Sequence, residues 1–243
     1  MRGPLTSRSV GHPAQLVVAG FAATILIGTA ALLLPVATAG PGRAPVLTAL
    51  FTSTAGVTLG GMAVVDTATY WSPTGQAIIL VLVQLGGLGI VTSASLLFLV
   101  VARRVGLRGR LAAQTELHTA DLGGTRRLLV AIIGFTLAFQ AVAVTVLTLR
   151  LWLGTDRDLG EAAWNGLFHG VAAFNNAGLS IFSGGLVGFA GDPWVLGTVM
   201  IAVIAGGLGF PVWLELLRGR RGPRGWSVHT RLTLSTTAAL LLF

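Results

Sequence analysis

Long apolar stretches alternate with short polar ones along the whole chain. Four runs, Ala14 to Val36, Gly75 to Val101, Leu128 to Leu153 and Trp194 to Leu217, are long enough to cross a hydrocarbon core, which takes about 20 helical residues. The first exceeds the apolar region of a signal peptide, and no small-residue cleavage site leads into a soluble domain, so it reads as a retained helix. A fifth run, Leu232 to Phe243, rises only about 18 Å against a core of roughly 30 Å. Between the runs, two stretches carry the same punctuation 117 positions apart: FTSTAGVTLGG from Phe51 to Gly61, and FHGVAAFNNAG from Phe168 to Gly178.

The match extends in both directions. Ala49-Leu50-Phe51 aligns with Gly166-Leu167-Phe168, and Gly86-Gly87-Leu88-Gly89 returns as Gly206-Gly207-Leu208-Gly209 at an offset of 120. Each repeat is a long helix, a short amphipathic segment, a Gly-ended turn and a second long helix carrying Gly-Gly-Leu-Gly. The first long helix exits outward and the second returns inward, so the segment between them begins and ends outside. Val46 to Thr54 and Ala162 to Ala173 reach only part-way through a bilayer and read as re-entrant pore helices. Non-helical backbone at membrane depth is tolerated only where it is buried in protein or lines water. Thr58 to Gly61 and Asn175 to Gly178 are therefore expected to line a pathway. The expected fold is an all-α integral membrane protein of parallel membrane-pore-membrane repeats, with two repeats and the start of a third present.

Composition excludes a soluble domain. Hydrophobic residues make up 53% of the 243, charged residues 10%, and the mean hydropathy is +0.83, which leaves too little polar surface to cover a core. With no cysteine, neither disulfides nor thiolate metal sites arise. The net charge of +8 comes from arginines beside the ends of apolar runs, where they act as topology signals rather than as a nucleic-acid footprint. Arg2 and Arg8, then Arg103, Arg104, Arg108, Arg110, Arg126 and Arg127, then Arg218, Arg220, Arg221, Arg224 and Arg231 fall on one side; Arg43, Arg150 and Arg157 fall on the other. The positive-inside rule then places the N-terminus in the cytoplasm of a multi-pass protein of the inner (plasma) membrane.

The resulting layout is a cytoplasmic N-terminus (1–13), a first repeat (14–104), a cytoplasmic Arg-rich loop (105–125), a second repeat (126–217) and a cytoplasmic loop with the first helix of a third repeat (218–243). Gly106 to Thr125, with Leu107, Leu111, Leu117 and Leu122 among polar residues, reads as a surface helix or docking face. Asp66, Asp156, Asp158, Glu161 and Asp192 lie outside, either as an acidic vestibule that attracts cations or as ordinary solvated loop charges.

A dehydrated monovalent cation needs oxygens in place of its water, and backbone carbonyls supply them without burying a fixed charge. Turning consecutive carbonyls inward favours glycine, which Gly60, Gly61 and Gly178 provide. The C-terminal ends of the short helices carry partial negative charge, which also favours a cation. The same residues equally suit an ordinary helix C-cap and turn. For Gly86, Gly87, Gly89, Gly206, Gly207 and Gly209 the readings are close helix packing or a kink, with Pro211 bending the second helix. Gln84, Gln140 and Glu215 lie in or at the end of helices, Glu215 reading as interfacial beside Arg218 rather than as a proton relay, and His12, His118, His169 and His229 stand singly, with no metal-site spacing. No constellation suggests catalysis or an organic cofactor, so the chain is not expected to be an enzyme.

The residues ALFTSTAG (Ala49 to Gly56), VVDT (Val64 to Thr67), GQAIILVLVQLGGLG (Gly75 to Gly89), LFHGVAAFNNAGLS (Leu167 to Ser180), GDP (Gly191 to Pro193), GGLGFPV (Gly206 to Val212) and SVHTRL (Ser227 to Leu232) resemble the Trk/Ktr/HKT superfamily of potassium and sodium uptake proteins, most closely its Ktr membrane subunits. The resemblance implies a K+ channel-like arrangement of four repeats around one pore. On that pattern Gly61 and Gly178 fall on filter glycines, and the carbonyls of Thr58, Leu59, Gly60, Asn175, Asn176 and Ala177 hold K+, or Na+, at the filter. Where the family usually has Thr before the first filter glycine, this chain has Gly60.

The resemblance also implies a homodimer in membrane lipid and a KtrA- or TrkA-like cytoplasmic nucleotide-binding ring as partner, with no nucleic acid. The family's gating loop and basic residue belong to the third and fourth repeats, so the 243 residues are expected to be about half of the working polypeptide. Two other readings stand beside conduction. A secondary transporter with broken helices at the midplane predicts inverted repeats, whereas these are parallel. A non-conducting fragment of a longer transporter predicts no flux.

Overall fold

The computed structural model describes residues 13–104, 122–218 and 226–242; among them the chain is helical apart from its loops and one isolated antiparallel bridge between Thr38 and Trp71. In order the helices are α1 (Pro13–Leu32), α2 (Val46–Thr58), α3 (Thr67–Tyr70), α4 (Pro73–Arg104), α5 (Leu122–Gly154), α6 (Leu159–Phe174), α7 (Pro193–Leu208), α8 (Phe210–Arg218) and α9 (Val228–Leu242). The N-terminal segment, most of the Arg-rich loop and residues 219–225 lie outside the described residues, and with them Arg2, Arg8, Arg108, Arg110, Arg220, Arg221 and Arg224, on which the topology reading partly rests.

The four expected spans are not alike. Stretches of α4 (Pro73–Ile90) and α5 (Val130–Gly154) are long and apolar enough to cross a membrane, whereas the apolar part of α1, Val17–Leu32, is shorter. The run Trp194 to Leu217 is not one span: it divides into α7 and α8, bent by 94°. The cause is local. Gly209 takes φ +76°, ψ 155°, a region that only glycine adopts readily, and Pro211 has no N–H to continue the ladder. The Trp213 indole N–H donates to the Ala205 carbonyl at 2.9 Å across this break, replacing a bond the ladder has lost.

The two short helices are each longer than their sequence signals, which suggested Val46 to Thr54 and Ala162 to Ala173. The first continues through Ala55, Gly56 and Val57 because that turn is buried, with Val57 in one core cluster with Ile79, Leu82 and Val83 of α4. The second begins at Leu159 because the Asp158 carboxylate accepts the Glu161 N–H at 2.8 Å and caps it. The packing plan recurs: α2 lies against α1 and α4, and α6 against α5 and α7. One cluster of buried residues, including Leu32, Ala49, Ile79, Val83, Phe168 and Ala177, spans both repeats.

Close approach is arranged differently in each. On the first, Ser53 of α2 donates to the Ile25 carbonyl at 2.8 Å, and its hydroxyl occupies the space beside Gly28 of α1. On the second, the glycines are on the short helix: Gly166 and Gly170 lie against Thr148 and Val144 of α5.

Of the five acids Asp66, Asp156, Asp158, Glu161 and Asp192, three cap helices. Asp66 caps α3 through the Ala68 N–H, Asp158 caps α6, and Asp192 caps α7 through the N–H groups of Trp194 and Val195. Asp192 also pairs with Arg150 of α5 at 2.9 Å. Desolvation raises its carboxyl, but hydrogen bonds from the Val195 N–H, the Arg150 side chain and the Trp194 N–H outweigh it and hold it below the ordinary value. A depressed carboxyl stabilises the fold above its unfolded pKa and loses that contribution as pH falls through the folded one. Between about pH 5 and pH 3, the melting temperature of the detergent-solubilised protein is therefore expected to fall by roughly 2–4 °C more than that of Asp192→Asn. Identical pH profiles would show that the pair contributes nothing.

Glu215 closes the N-terminus of α9. Its carboxylate accepts the N–H and hydroxyl of Ser227 at 2.6 and 2.8 Å, and the hydroxyl of the buried Thr230. α8 and the helix that carries the fifth apolar run are thereby tied together.

Candidate functional site

The short helices α2 and α6 end in the same way. In the first, the Gly60 N–H reaches back to the Ala55 carbonyl at 2.9 Å; in the second, the Ala177 N–H reaches back to the Ala172 carbonyl at 2.9 Å. The residue before each donor is left-handed, Leu59 at φ 56° and Asn176 at φ 57°, and the residue after each is a glycine, Gly61 and Gly178, both at φ 66°. These are Schellman-type caps, and every corresponding pair is 117 residues apart. Asn and Gly tolerate the left-handed region. Leu59 occupies it at a cost of about 1–2 kcal/mol, offset in part by packing of its side chain on the shared core.

The two turns meet. A Cβ at Gly61 would lie 3.6 Å from both the Ala177 oxygen and Gly178 Cα, and a Cβ at Gly178 only 2.8 Å from Gly61 Cα. Gly60, Gly61, Asn176 and Gly178 are exposed, whereas Asn175 and Ala177 are buried. Gly60 is outside the left-handed region, and a Cβ there would make only ordinary contacts, the nearest at 3.4 Å to the Thr58 hydroxyl. Its lack of a side chain is thus not imposed by the backbone.

Each Gly-Gly-Leu-Gly motif abuts the end of a short helix. A Cβ at Gly86 of α4 would overlap the Val57 carbonyl, and a Cβ at Gly206 of α7 would overlap the Phe174 carbonyl. Gly87 admits the Asn175 side-chain oxygen, whereas nothing lies closer than 4.0 Å to a Cβ at Gly207. Gly89 faces the Phe21 ring. Gly209 forms the α7–α8 break described above.

Side chains outside the two motifs brace the second turn. The ring of buried His169 of α6 has the Asn165 carbonyl 2.8 Å from Nδ1 and the Ser180 hydroxyl 2.9 Å from Nε2, and it stacks on Phe182 with ring centroids 4.1 Å apart. The segment just after Gly178 is thus fastened to the helix before it. Polar groups also join the two repeats: the Trp164 indole N–H donates to Gln76 Oε1 at 2.8 Å, and Gln84 Oε1 accepts from Gln140 Nε2 at 2.8 Å and Asn175 Nδ2 at 2.9 Å. The sequence marks Gln84 and Gln140 only as polar residues within apolar helices; Asn175, which shares the Gln84 oxygen with Gln140, is 91 positions from Gln84. Among the described residues no group of three or more His, Asp or Glu side chains could hold a metal ion.

Comparison with known proteins finds cation transport proteins over nearly the whole chain. Residues 4–240 match the TrkH family, described as cation transport protein. The Ktr system potassium uptake protein B of Bacillus subtilis is 35% identical over 233 residues, covering 94% of this chain and 50% of the relative. The protein of the same name from Vibrio alginolyticus is 32% identical over 236 residues, covering 97% and 51%. The potassium/sodium uptake protein NtpJ of Enterococcus hirae is 30% identical over 230 residues, covering 95% and 50%. The chain spans about half the length of the curated relatives it matches.

Proposed function

Because the chain belongs to the TrkH family of cation transport proteins, we propose that it forms two of the quarters of a potassium-conducting pore, each a re-entrant helix ending in a carbonyl-lined turn. The observation that carries this reading is the pair of turns at Leu59 to Gly61 and Asn176 to Gly178, alike in φ and in contact with each other. Each follows the C-terminus of a short helix, where partial negative charge favours a cation. The carbonyls of Thr58, Leu59, Gly60, Asn175, Asn176 and Ala177 replace the water of K+, and the ion moves down its electrochemical gradient with no chemical step. Relatives named for potassium and for potassium/sodium uptake support a monovalent cation as cargo. Restored growth at low potassium of cells lacking their own uptake systems, on expression of the full-length protein, tests the reading. Growth no better than with empty vector, despite normal membrane insertion, would count against it.

The repeat boundaries 14–104 and 126–217, a cytoplasmic N-terminus in the inner membrane, a homodimer and a cytoplasmic nucleotide-binding partner on the loop 105–125 belong to the same proposal. Orientation can be read directly because the chain has no cysteine. A cysteine in place of Thr155, between α5 and α6, is expected to react with an impermeant thiol reagent added outside intact cells, and one in place of Thr119 only after permeabilisation. The reverse pattern would put both turns on the cytoplasmic side.

A further inference from the structure

The two turns share a backbone conformation but not a support. Thr58, at the end of α2, is exposed and its hydroxyl donates to Thr54 of its own helix at 2.8 Å. Its counterpart Asn175 is buried, and both of its amide hydrogens are used: Nδ2 donates to the Val171 carbonyl at 3.0 Å and to Gln84 Oε1 at 2.9 Å. Its oxygen sits where a Cβ at Gly87 would be. Gln84 and Gly87 both belong to α4 of the first repeat, so the second turn is held from outside its own repeat. At the position equivalent to Gln84, the second repeat has Ile204, which can accept nothing.

The orientation of Gln84 is also fixed. Two N–H donors, from Asn175 and Gln140, converge on its one oxygen, so its own NH2 must point the other way. That nitrogen is buried with no acceptor among the described residues. An unpaired amide donor in a low-dielectric interior is costly, and a residue needed only for packing would gain by losing it. A glutamine retained in this orientation is explained by what its oxygen does.

We infer that Gln84 is a positioning residue: by holding the Asn175 side chain it sets the angle at which the Asn175 and Asn176 carbonyls face the ion, and with it the potassium-over-sodium preference of that quarter. This rests on the filter reading above. The residue touches no ion; it acts through Asn175. Gln140 donates to the same oxygen without contacting the turn, and so serves Gln84 rather than the filter.

The test is the K+/Na+ permeability ratio of the full-length protein in proteoliposomes. Gln84→Met, close in volume but with no hydrogen-bonding oxygen, is expected to lower the ratio about three- to tenfold. Gln84→Glu, which keeps acceptor oxygens for both donors, is expected to stay near the wild-type value. In an Asn175→Ala background, Gln84→Met is expected to have no further effect, because the group it acts through is gone. Gly87→Ala displaces the oxygen of the same amide and should lower the ratio even if Gln84→Met does not fold. An unchanged ratio in folded Gln84→Met or Gly87→Ala, or effects that add in the double variant, overturns the inference. A wild-type protein without potassium preference would instead overturn the filter reading itself.

Discussion

Gly178→Ser is expected to abolish potassium-selective uptake, with the permeability ratio falling at least about tenfold, while Gly61→Ser has the milder effect. Both glycines have φ 66°, where an L-residue costs about 1–2 kcal/mol, so strain alone does not separate them. Space does. A Cβ at Gly178 would come within 2.8 Å of Gly61 Cα, a backbone atom that cannot rotate away, whereas a Cβ at Gly61 would meet its nearest atoms at 3.6 Å. The first substitution must drive the two turns apart; the second need not. Growth of potassium-uptake-deficient cells at graded potassium and sodium reads the order. Normal growth with unchanged ion preference in Gly178→Ser would show that this turn does not select ions.

Gly206→Ala is expected to lower the melting temperature by roughly 3–10 °C, and its neighbour Gly207→Ala to leave it unchanged or raise it slightly. The two glycines are adjacent on one helix and are indistinguishable in the motif. A methyl at Gly206 would overlap the Phe174 carbonyl at the end of α6, and the backbone on the other side cannot rotate away as a side chain can. At Gly207 the nearest atom is 4.0 Å away, so alanine there brings only its better helix propensity. Gly86→Ala should behave like Gly206→Ala, since the Val57 carbonyl occupies the equivalent place. Thermal unfolding of the purified protein, followed by size-exclusion chromatography, compares the three; equal melting temperatures would mean that α7 rests less closely on α6 than the structure has it.

The helices were legible because the apolar runs that specify them are local. The turns were legible in sequence as a repeat: the offset of 117 between the two stretches reappears in the backbone as equal φ values at Leu59 and Asn176 and at Gly61 and Gly178. Gly209 and Pro211 signalled a bend in the fourth run, but its size of 94° depends on a ψ value that no composition encodes. α2 runs past Thr54 because Gly56 and Val57, weak helix formers on their own, are held helical by burial against α4. The Gln84–Asn175 and Gln76–Trp164 bonds join residues 91 and 88 positions apart, and nothing local in the sequence pairs them. The loop carboxylates are similarly ambiguous in sequence: Asp66, Asp158 and Asp192 read either as an acidic vestibule or as solvated loop charges, and their hydrogen bonds cap helices.

The central claim, that the two turns are parts of one cation filter, is tested most directly by locating the ion. Crystals of the full-length protein grown in a thallium(I) salt, which supplies a heavy potassium mimic, should show an anomalous peak between the turns, within about 3 Å of carbonyl oxygens from Thr58 to Gly60 and from Asn175 to Ala177. Exchange into sodium should remove it. No peak between the turns, or peaks only at the outer acids Asp66, Asp156, Asp158, Glu161 and Asp192, would contradict the account.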